Sequence, residues 1–308
     1  MQKAKEIIRQ VNNVVLGKSE IIEKVLMAML AGGHVLLEDI PGVGKTTMAL
    51  AFAKSMDMTY KRMQFTPDVM PSDVTGYTVY NKADGKTTYL PGAAMCNLFL
   101  ADEINRTSSK TQSALLEVME ERSITVDGVT HPVPKPYLVI ATQNPVGSAG
   151  TQLLPESQLD RFMVRLSMGY PDSSSEIEML RRQTADPMAL VEKVVTPTEI
   201  LELQQQVDAV YVADSLYSYI AALVSWTRSQ PEIRLGVSPR GSLALLRMAK
   251  ACAFLRGRNY LVPQDVQHVF ADVCSHRILV GARGRVSGSS EASLIAQALQ
   301  QVSVPAMV

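Results

Sequence analysis

His34-Val35-Leu36-Leu37-Glu38-Asp39-Ile40-Pro41-Gly42-Val43-Gly44-Lys45-Thr46-Thr47 decides how this chain is read. A short apolar run ends in charge, passes through a turn rich in glycine, and gives way to a helical stretch from Lys45 to Met56. Strand, tight turn and helix in that order aim backbone N–H groups and the positive end of a helix at one point, which is how a polypeptide cradles phosphate. Lys45 would reach β- and γ-phosphates, Thr46 would ligate Mg²⁺, and Pro41, Gly42, Val43, Gly44 and Thr47 would form the cradle around them. Asp39 stands where the G-x-x-x-x-G-K-[ST] pattern has its first glycine. For this stretch alone, a glycine-rich turn with an exposed lysine is the competing reading.

Working outward, three more apolar runs have the same texture: Asn97-Leu98-Phe99-Leu100-Ala101, Tyr137-Leu138-Val139-Ile140-Ala141 and Phe162-Met163-Val164-Arg165-Leu166. Runs of this length without polar alternation suit strands buried on both faces, as in a parallel sheet covered by helices. With helical stretches such as Lys45 to Met56 and Lys110 to Arg122 between them, they predict an α/β domain. Two hairpins are expected to project from it: Tyr77 to Tyr80 with Thr87 to Leu90 around Ala83-Asp84-Gly85, and Ile124 to Val126 with Val129 to His131 around Asp127-Gly128. After Tyr170-Pro171 the texture changes. Thr196-Pro197-Thr198-Glu199, Ser238-Pro239-Arg240 and Val262-Pro263-Gln264-Asp265 are helix starts, with proline where a first turn tolerates it, so a second, all-helical domain is expected.

The chemistry extends to two strand ends. Asp102-Glu103 closes one apolar run, where Asp102 would hold the metal through water and Glu103 would polarise the attacking water. Ala141-Thr142-Gln143-Asn144-Pro145 closes another and sets Asn144 at the carboxyl edge, where ligands bind in such folds, to position the lytic water or touch the γ-phosphate. Solvated punctuation is the alternative for Asp-Glu, and a simple turn for Asn-Pro. Their order after the glycine-rich turn favours the chemical reading.

Taken together, these motifs resemble the MoxR family of AAA+ ATPases, in the clade with an insertion in the second helix. The resemblance spans almost the whole chain, from Val14-Val15-Leu16-Gly17-Lys18 through the P-loop, Gln64-Phe65-Thr66-Pro67-Asp68, Leu100 to Arg106 and Ala114 to Arg122, to Leu159-Asp160-Arg161-Phe162 and Ser238-Pro239-Arg240-Gly241. It tolerates Asp39 in the P-loop. The resemblance implies that Val15, Leu16 and Gly17 line the adenine pocket, that Asn144 is the first sensor and Arg240 the second, and that Arg161 is a finger for a neighbouring subunit's nucleotide. Gln64 would couple Glu103 to ligand binding. Arg240 has independent support, because an early helical position after Ser238-Pro239 points its side chain towards a bound anion; for either arginine the alternative is a surface salt bridge.

The implied organisation is an AAA+ core over residues 1–170 with inserted hairpins at about 66–94 and 123–134, a linker over 171–195, and a helical lid over 196–308. ATP would sit between core and lid, and its hydrolysis would rotate the lid and move the hairpins. The implied assembly is a hexameric ring of identical subunits, serving chaperone-like maturation of a protein client, often one with a von Willebrand factor A domain. A nucleotide switch with slow turnover and a nucleic-acid remodelling motor are the other readings. Intact Glu103, Asn144 and Arg161 favour turnover, and hairpin tips lacking a basic cluster argue against nucleic acid. Thirty Lys plus Arg against thirty Asp plus Glu give no global pull towards nucleic acid or anionic membrane. Cys96, Cys252 and Cys274 lack paired spacing, and the four histidines lack zinc spacing. The longest apolar stretch, Val25 to Leu37, is broken by Gly32-Gly33-His34, so a cytoplasmic protein without membrane insertion is expected.

Overall fold

The computed structural model describes every residue except 39, 41, 84, 145–153, 183–185 and 307–308. Its centre is a five-stranded parallel sheet in the order β2-β5-β8-β1-β9. These strands are β1 (Val35–Glu38), β2 (Tyr60–Gln64), β5 (Leu98–Asp102), β8 (Leu138–Gln143) and β9 (Val164–Leu166). The inner strands β1, β5 and β8 are apolar up to their carboxyl ends because both faces are covered. In β5, Leu98 and Leu100 enter one core while Phe99 and Ala101 enter the other, and in β1 Val35 and Leu37 oppose Leu36. Helices α1 (Gln2–Asn12), α2 (Ser19–Leu30) and α3 (Lys45–Ser55) contribute buried residues to the first core. Helix α5 (Ser109–Glu121) closes the second through Leu115, Leu116 and Met119.

The strands end slightly later than the apolar runs suggest, so Glu38, Asp102 and Gln143 are last strand residues at one edge of the sheet. Edge strand β2 has alternating burial, and its register pairs Gln64 with Asp102.

Both expected hairpins are present. The first follows a short helix α4 (Pro71–Thr75) and pairs β3 (Gly76–Asn81) with β4 (Lys86–Pro91); the second pairs β6 (Ser123–Val126) with β7 (Val129–Pro132). Asp84, at the first tip, lies outside the described residues. Tyr89 stacks on His131 with ring centroids 3.9 Å apart and planes within 10°, and the Thr78 hydroxyl donates to Asp127, so the two hairpins are fastened to each other.

Segment 171–195, expected as a linker, carries α7 (Ser173–Arg182) and a 3₁₀ turn at Pro187–Leu190. It is tied to the core: Lys54 Nζ donates to the Met188 carbonyl at 2.7 Å, and Val194 N–H donates to Ser55 O at 2.9 Å. A short helix α6 (Glu156–Leu159) precedes β9.

Beyond segment 171–195 the chain is helical, with α8 (Pro197–Asp208), α9 (Asp214–Ser229), α10 (Pro239–Leu255), α11 (Pro263–Cys274), α12 (Ala282–Val286) and α13 (Glu291–Gln301). A small antiparallel ribbon of β10 (Ile233–Leu235) and β11 (Leu279–Val280) accompanies these helices. All three proline start signals open helices. Thr196 and Glu199 satisfy each other's N–H groups in a capping box, and Ser238 Oγ accepts from Gly241 N–H at 3.0 Å.

Candidate active site

At the carboxyl edge of the sheet, Gly42, Gly44, Lys45, Thr46, Thr47, Arg62, Gln64, Asp102, Glu103 and Asn144 line a cleft of about 370 Å³. The turn leading into it needs glycine: Gly42 has φ 86° and Gly44, which caps α3, has φ 93°, both left-handed conformations that a Cβ would strain. Lys45 is nearly buried and its Nζ donates to the Ile40 carbonyl at 3.3 Å. Thr46 and Thr47 follow on the first turn of α3, and Val43 packs against the core. Pro41 lies outside the described residues, as does Asp39.

The two carboxylates across the cleft are held differently. Asp102 Oδ1 accepts from Thr142 Oγ1 at 2.5 Å, and Oδ2 accepts from Arg62 Nη2 at 2.7 Å. Glu103 adopts φ 57°, and its N–H donates to Thr142 Oγ1 at 2.8 Å. That strained geometry turns its side chain from the strand direction into the cleft. Glu103 Oε1 accepts from Asn144 Nδ2 at 3.0 Å, and Oε2 accepts from Arg106 Nη1 at 2.7 Å. Burial works to raise the pKa of this carboxyl, but the hydrogen bonds from Arg106 and Asn144 outweigh it and leave it below the ordinary glutamate value.

Lys45, Thr46, Asp102, Glu103 and Asn144 are thus brought together. Gln64 reaches the same cleft, yet its side chain accepts from Arg62 Nη2 at 3.4 Å, and the groups holding Glu103 are Asn144 and Arg106. Val15, Leu16 and Gly17 are not among the residues lining this cleft. Val15 is buried in the core, and Gly17, at φ 70°, lies so close to Ser175 that a side chain there would run into it.

Arg240, expected to reach a bound anion, lies outside the cleft of Lys45 and Glu103. It is the second residue of α10, and its guanidinium pairs with Glu120, near the end of α5. Arg161 pairs with the other oxygen of the same carboxylate, Nη1 to Oε2 at 2.5 Å. Both arginines line a cavity of about 290 Å³ shared with Gly32, Gly33 and His34, the residues leading into β1. The glycine-rich turn follows the other end of β1, and Arg240 is not among the residues lining the cleft there. The anion expected before the first turn of α10 is the carboxylate of Glu120. Packing explains the displacement: α10 lies against α2, α8 and α11, and Ser238 Oγ donates to Asp160, 2.9 Å from each oxygen, which pins the start of the helix beside Arg161.

Several further residues shape this site. Arg106 is three residues from Glu103 within a quoted motif, and Arg62 shares a strand face with Gln64, so both carried a signal. Thr142 also stood in a quoted motif without a role. Arg277 carried none. This buried lid residue donates to Asp160 Oδ1 at 2.8 Å and to the carbonyls of Asp160 at 3.0 Å and Phe162 at 2.6 Å, clamping the segment that bears Arg161.

Parallel sheet, P-loop, acidic strand end and helical lid define an ATPase of the AAA+ class. Residues 34–164 match the ATPase family associated with various cellular activities (AAA), and residues 226–298 match an AAA lid domain. The uncharacterized protein YeaC of Bacillus subtilis is 46% identical across 97% of this chain and 93% of its own length. Chaperone MoxR1 of Mycobacterium tuberculosis is 37% identical across 97% of this chain and 81% of its own, and protein MoxR of Paracoccus denitrificans 32% across 87% and 86%. A crystal structure of a Cytophaga hutchinsonii protein assigned as an ATPase superposes with a TM-score of 0.91 at 38% identity, over 99% of this chain and 96% of that one. The chain belongs to the MoxR family of AAA+ ATPases and is an ATP-hydrolysing enzyme.

Proposed function

We propose that the cleft beside Lys45 binds Mg·ATP, that Glu103 directs water onto the γ-phosphate, and that the cycle remodels a partner protein. Lys45 and the P-loop N–H groups hold the phosphates, and Asn144 aims Glu103 at the nucleophile. Thr46 and Asp102 offer the hard oxygen ligands Mg²⁺ prefers. Among the described residues no group of three His, Cys, Asp or Glu could hold a metal, so Thr46 and Asp102 would complete a coordination shell drawn mainly from nucleotide and water. Bound there, the metal would neutralise charge on the transferred phosphoryl group.

The observation that carries the reading is the contact of Glu103 with Asn144 in the cleft of Lys45, Thr46 and Asp102, while Arg161 and Arg240 sit together outside it. Two arginines sharing one partly exposed carboxylate are held by about 1 kcal/mol each, so a neighbour's triphosphate can take them. We therefore assign both to the site of an adjacent subunit in a homo-oligomeric ring. The name chaperone MoxR1 supports a protein client, and the family resemblance makes one with a von Willebrand factor A domain the candidate class. The three cysteines are buried and unpaired, as a reducing cytosol would leave them, and no helix among the described residues is long and apolar enough to cross a membrane.

A slower, switch-like protein is the second reading, favoured by the ion pair that Arg106 makes with Glu103. Glu103→Gln tests the chemistry: the protein should still bind Mg·ATP but lose roughly a hundredfold or more of its turnover, because an amide cannot take up the proton. Wild-type turnover in that variant would overturn the assignment. A single-turnover rate for the native protein that is fast compared with product release favours the motor; slow chemistry favours the switch.

A further inference from the structure

Asp102 is the strand-end carboxylate that faces Thr46 across the cleft, and both of its oxygens are engaged. Oδ1 is fixed by Thr142, which is fully buried and also accepts the N–H of Glu103, so that side of the carboxylate belongs to the scaffold. Oδ2 is the oxygen left for the cleft, and there Arg62 Nη2 lies 2.7 Å away. Arg62 comes from edge strand β2, its side chain is 46% exposed, and its other side-chain partner is Gln64 Oε1 at 3.4 Å. A guanidinium so exposed can leave at little cost. It cannot stay on Oδ2 without penalty when a divalent cation approaches the same carboxylate, because the two positive charges repel.

We propose that Arg62 is the stand-in for the metal: it neutralises and aligns Asp102 before Mg²⁺ arrives, and yields that carboxylate when Mg·ATP binds. Arg62 then remains in the same cleft as the triphosphate, as a cation able to meet its charge. Its role is positional, exerted through Asp102. The inference rests on the cleft being the nucleotide site.

Charge bookkeeping supplies a test that does not depend on turnover. In the wild type, Arg62 already offsets Asp102 without metal, so metal-free ATP meets little repulsion. In Arg62→Ala the bare carboxylate repels metal-free ATP and binds metal more readily. The measurement is equilibrium binding of a fluorescent, non-hydrolysable ATP analogue in Mg²⁺ and in EDTA. The ratio of the two affinities should grow roughly three- to tenfold in Arg62→Ala, the scale of an exposed ion pair. Arg62→Lys keeps the charge and should stay near the wild-type ratio. A merely structural role would weaken binding equally under both conditions. An unchanged ratio in an Arg62→Ala protein with a wild-type melting temperature overturns the proposal. If the wild type shows no binding in either condition, the nucleotide reading of the cleft falls with it.

Discussion

As the proposed base, Glu103 meets two demands. To accept a proton from water it must be ionised and aimed, and the hydrogen bond from Asn144 at 3.0 Å serves the aim. Arg106 serves the ionisation, since its guanidinium and the Asn144 amide hold the carboxyl below the ordinary glutamate range despite burial. A base of this kind works above its pKa and fails as pH falls through it. The acid limb of kcat/KM should therefore lie lower than an unperturbed glutamate would give. In Arg106→Ala the raising effect of burial is left facing Asn144 alone, and the limb should move up. A pH–rate profile checks this, and an unmoved limb would remove Arg106 from the site. The Asp-Glu pair and Asn144 were legible in the sequence because each closes an apolar run. Which groups hold them was not, because Thr142 and Arg62 reach Asp102 from neighbouring strands.

At the scale of elements, His34 is the tie between β1, β8 and α5. Its Nδ1 accepts from Val139 N–H at 3.0 Å, so Nε2 carries the proton and donates to the Met119 carbonyl at 3.0 Å. Burial pushes its pKa down to about 4. Folded His34 stays neutral where an unfolded histidine, with an ordinary value near 6.5, takes up a proton. The unfolded chain then binds more protons, so this contribution is complete above about pH 6.5 and is lost as pH falls towards about 4. His276 is buried and lowered in the same direction, by burial first and the neighbouring Arg277 charge second. Urea midpoints should drop between pH 7 and pH 5. In His34→Leu the drop should be shallower, while stability at pH 7 falls by roughly 2–4 kcal/mol because a buried N–H and C=O lose their partner. Equal slopes in the two proteins would contradict the assignment. Strands and helix starts were legible from apolar runs and Ser/Thr-Pro signals, but nothing in Gly32-Gly33-His34 marked the histidine as a bridge.

Over the whole molecule, Arg161 and Arg240 lie outside the cleft lined by Lys45 and Glu103, whereas Arg62 and Arg106 reach into it. Arg161 and Arg240 share Glu120, and Arg277 clamps the Asp160–Phe162 backbone to the lid. A lid that moves carries the Arg161 segment with it, which would tie nucleotide state in one subunit to finger position in the next. Arg161→Ala and Lys45→Ala should each be nearly inactive alone. Mixed at equal amounts, about one quarter of randomly formed interfaces would join an intact P-loop to an intact finger, so some turnover should return. Turnover per wild-type chain should also rise with protein concentration. No recovery from mixtures shown to co-assemble would return Arg161 to a local ion pair.

The sequence by itself determined the chemistry carried by contiguous residues. The glycines of the turn, Lys45-Thr46, Asp102-Glu103 and Asn144 needed no distant partner to be read, because strand–turn–helix geometry aims them locally. Tertiary structure decided where the arginines lie. The side of the molecule reached by Arg240 depends on how α10 packs against α2 and α11, and the oxygen taken by Arg62 depends on the register of β2 against β5. Long, flexible cationic side chains find their partners across the fold, so their roles follow from packing more than from the residues beside them.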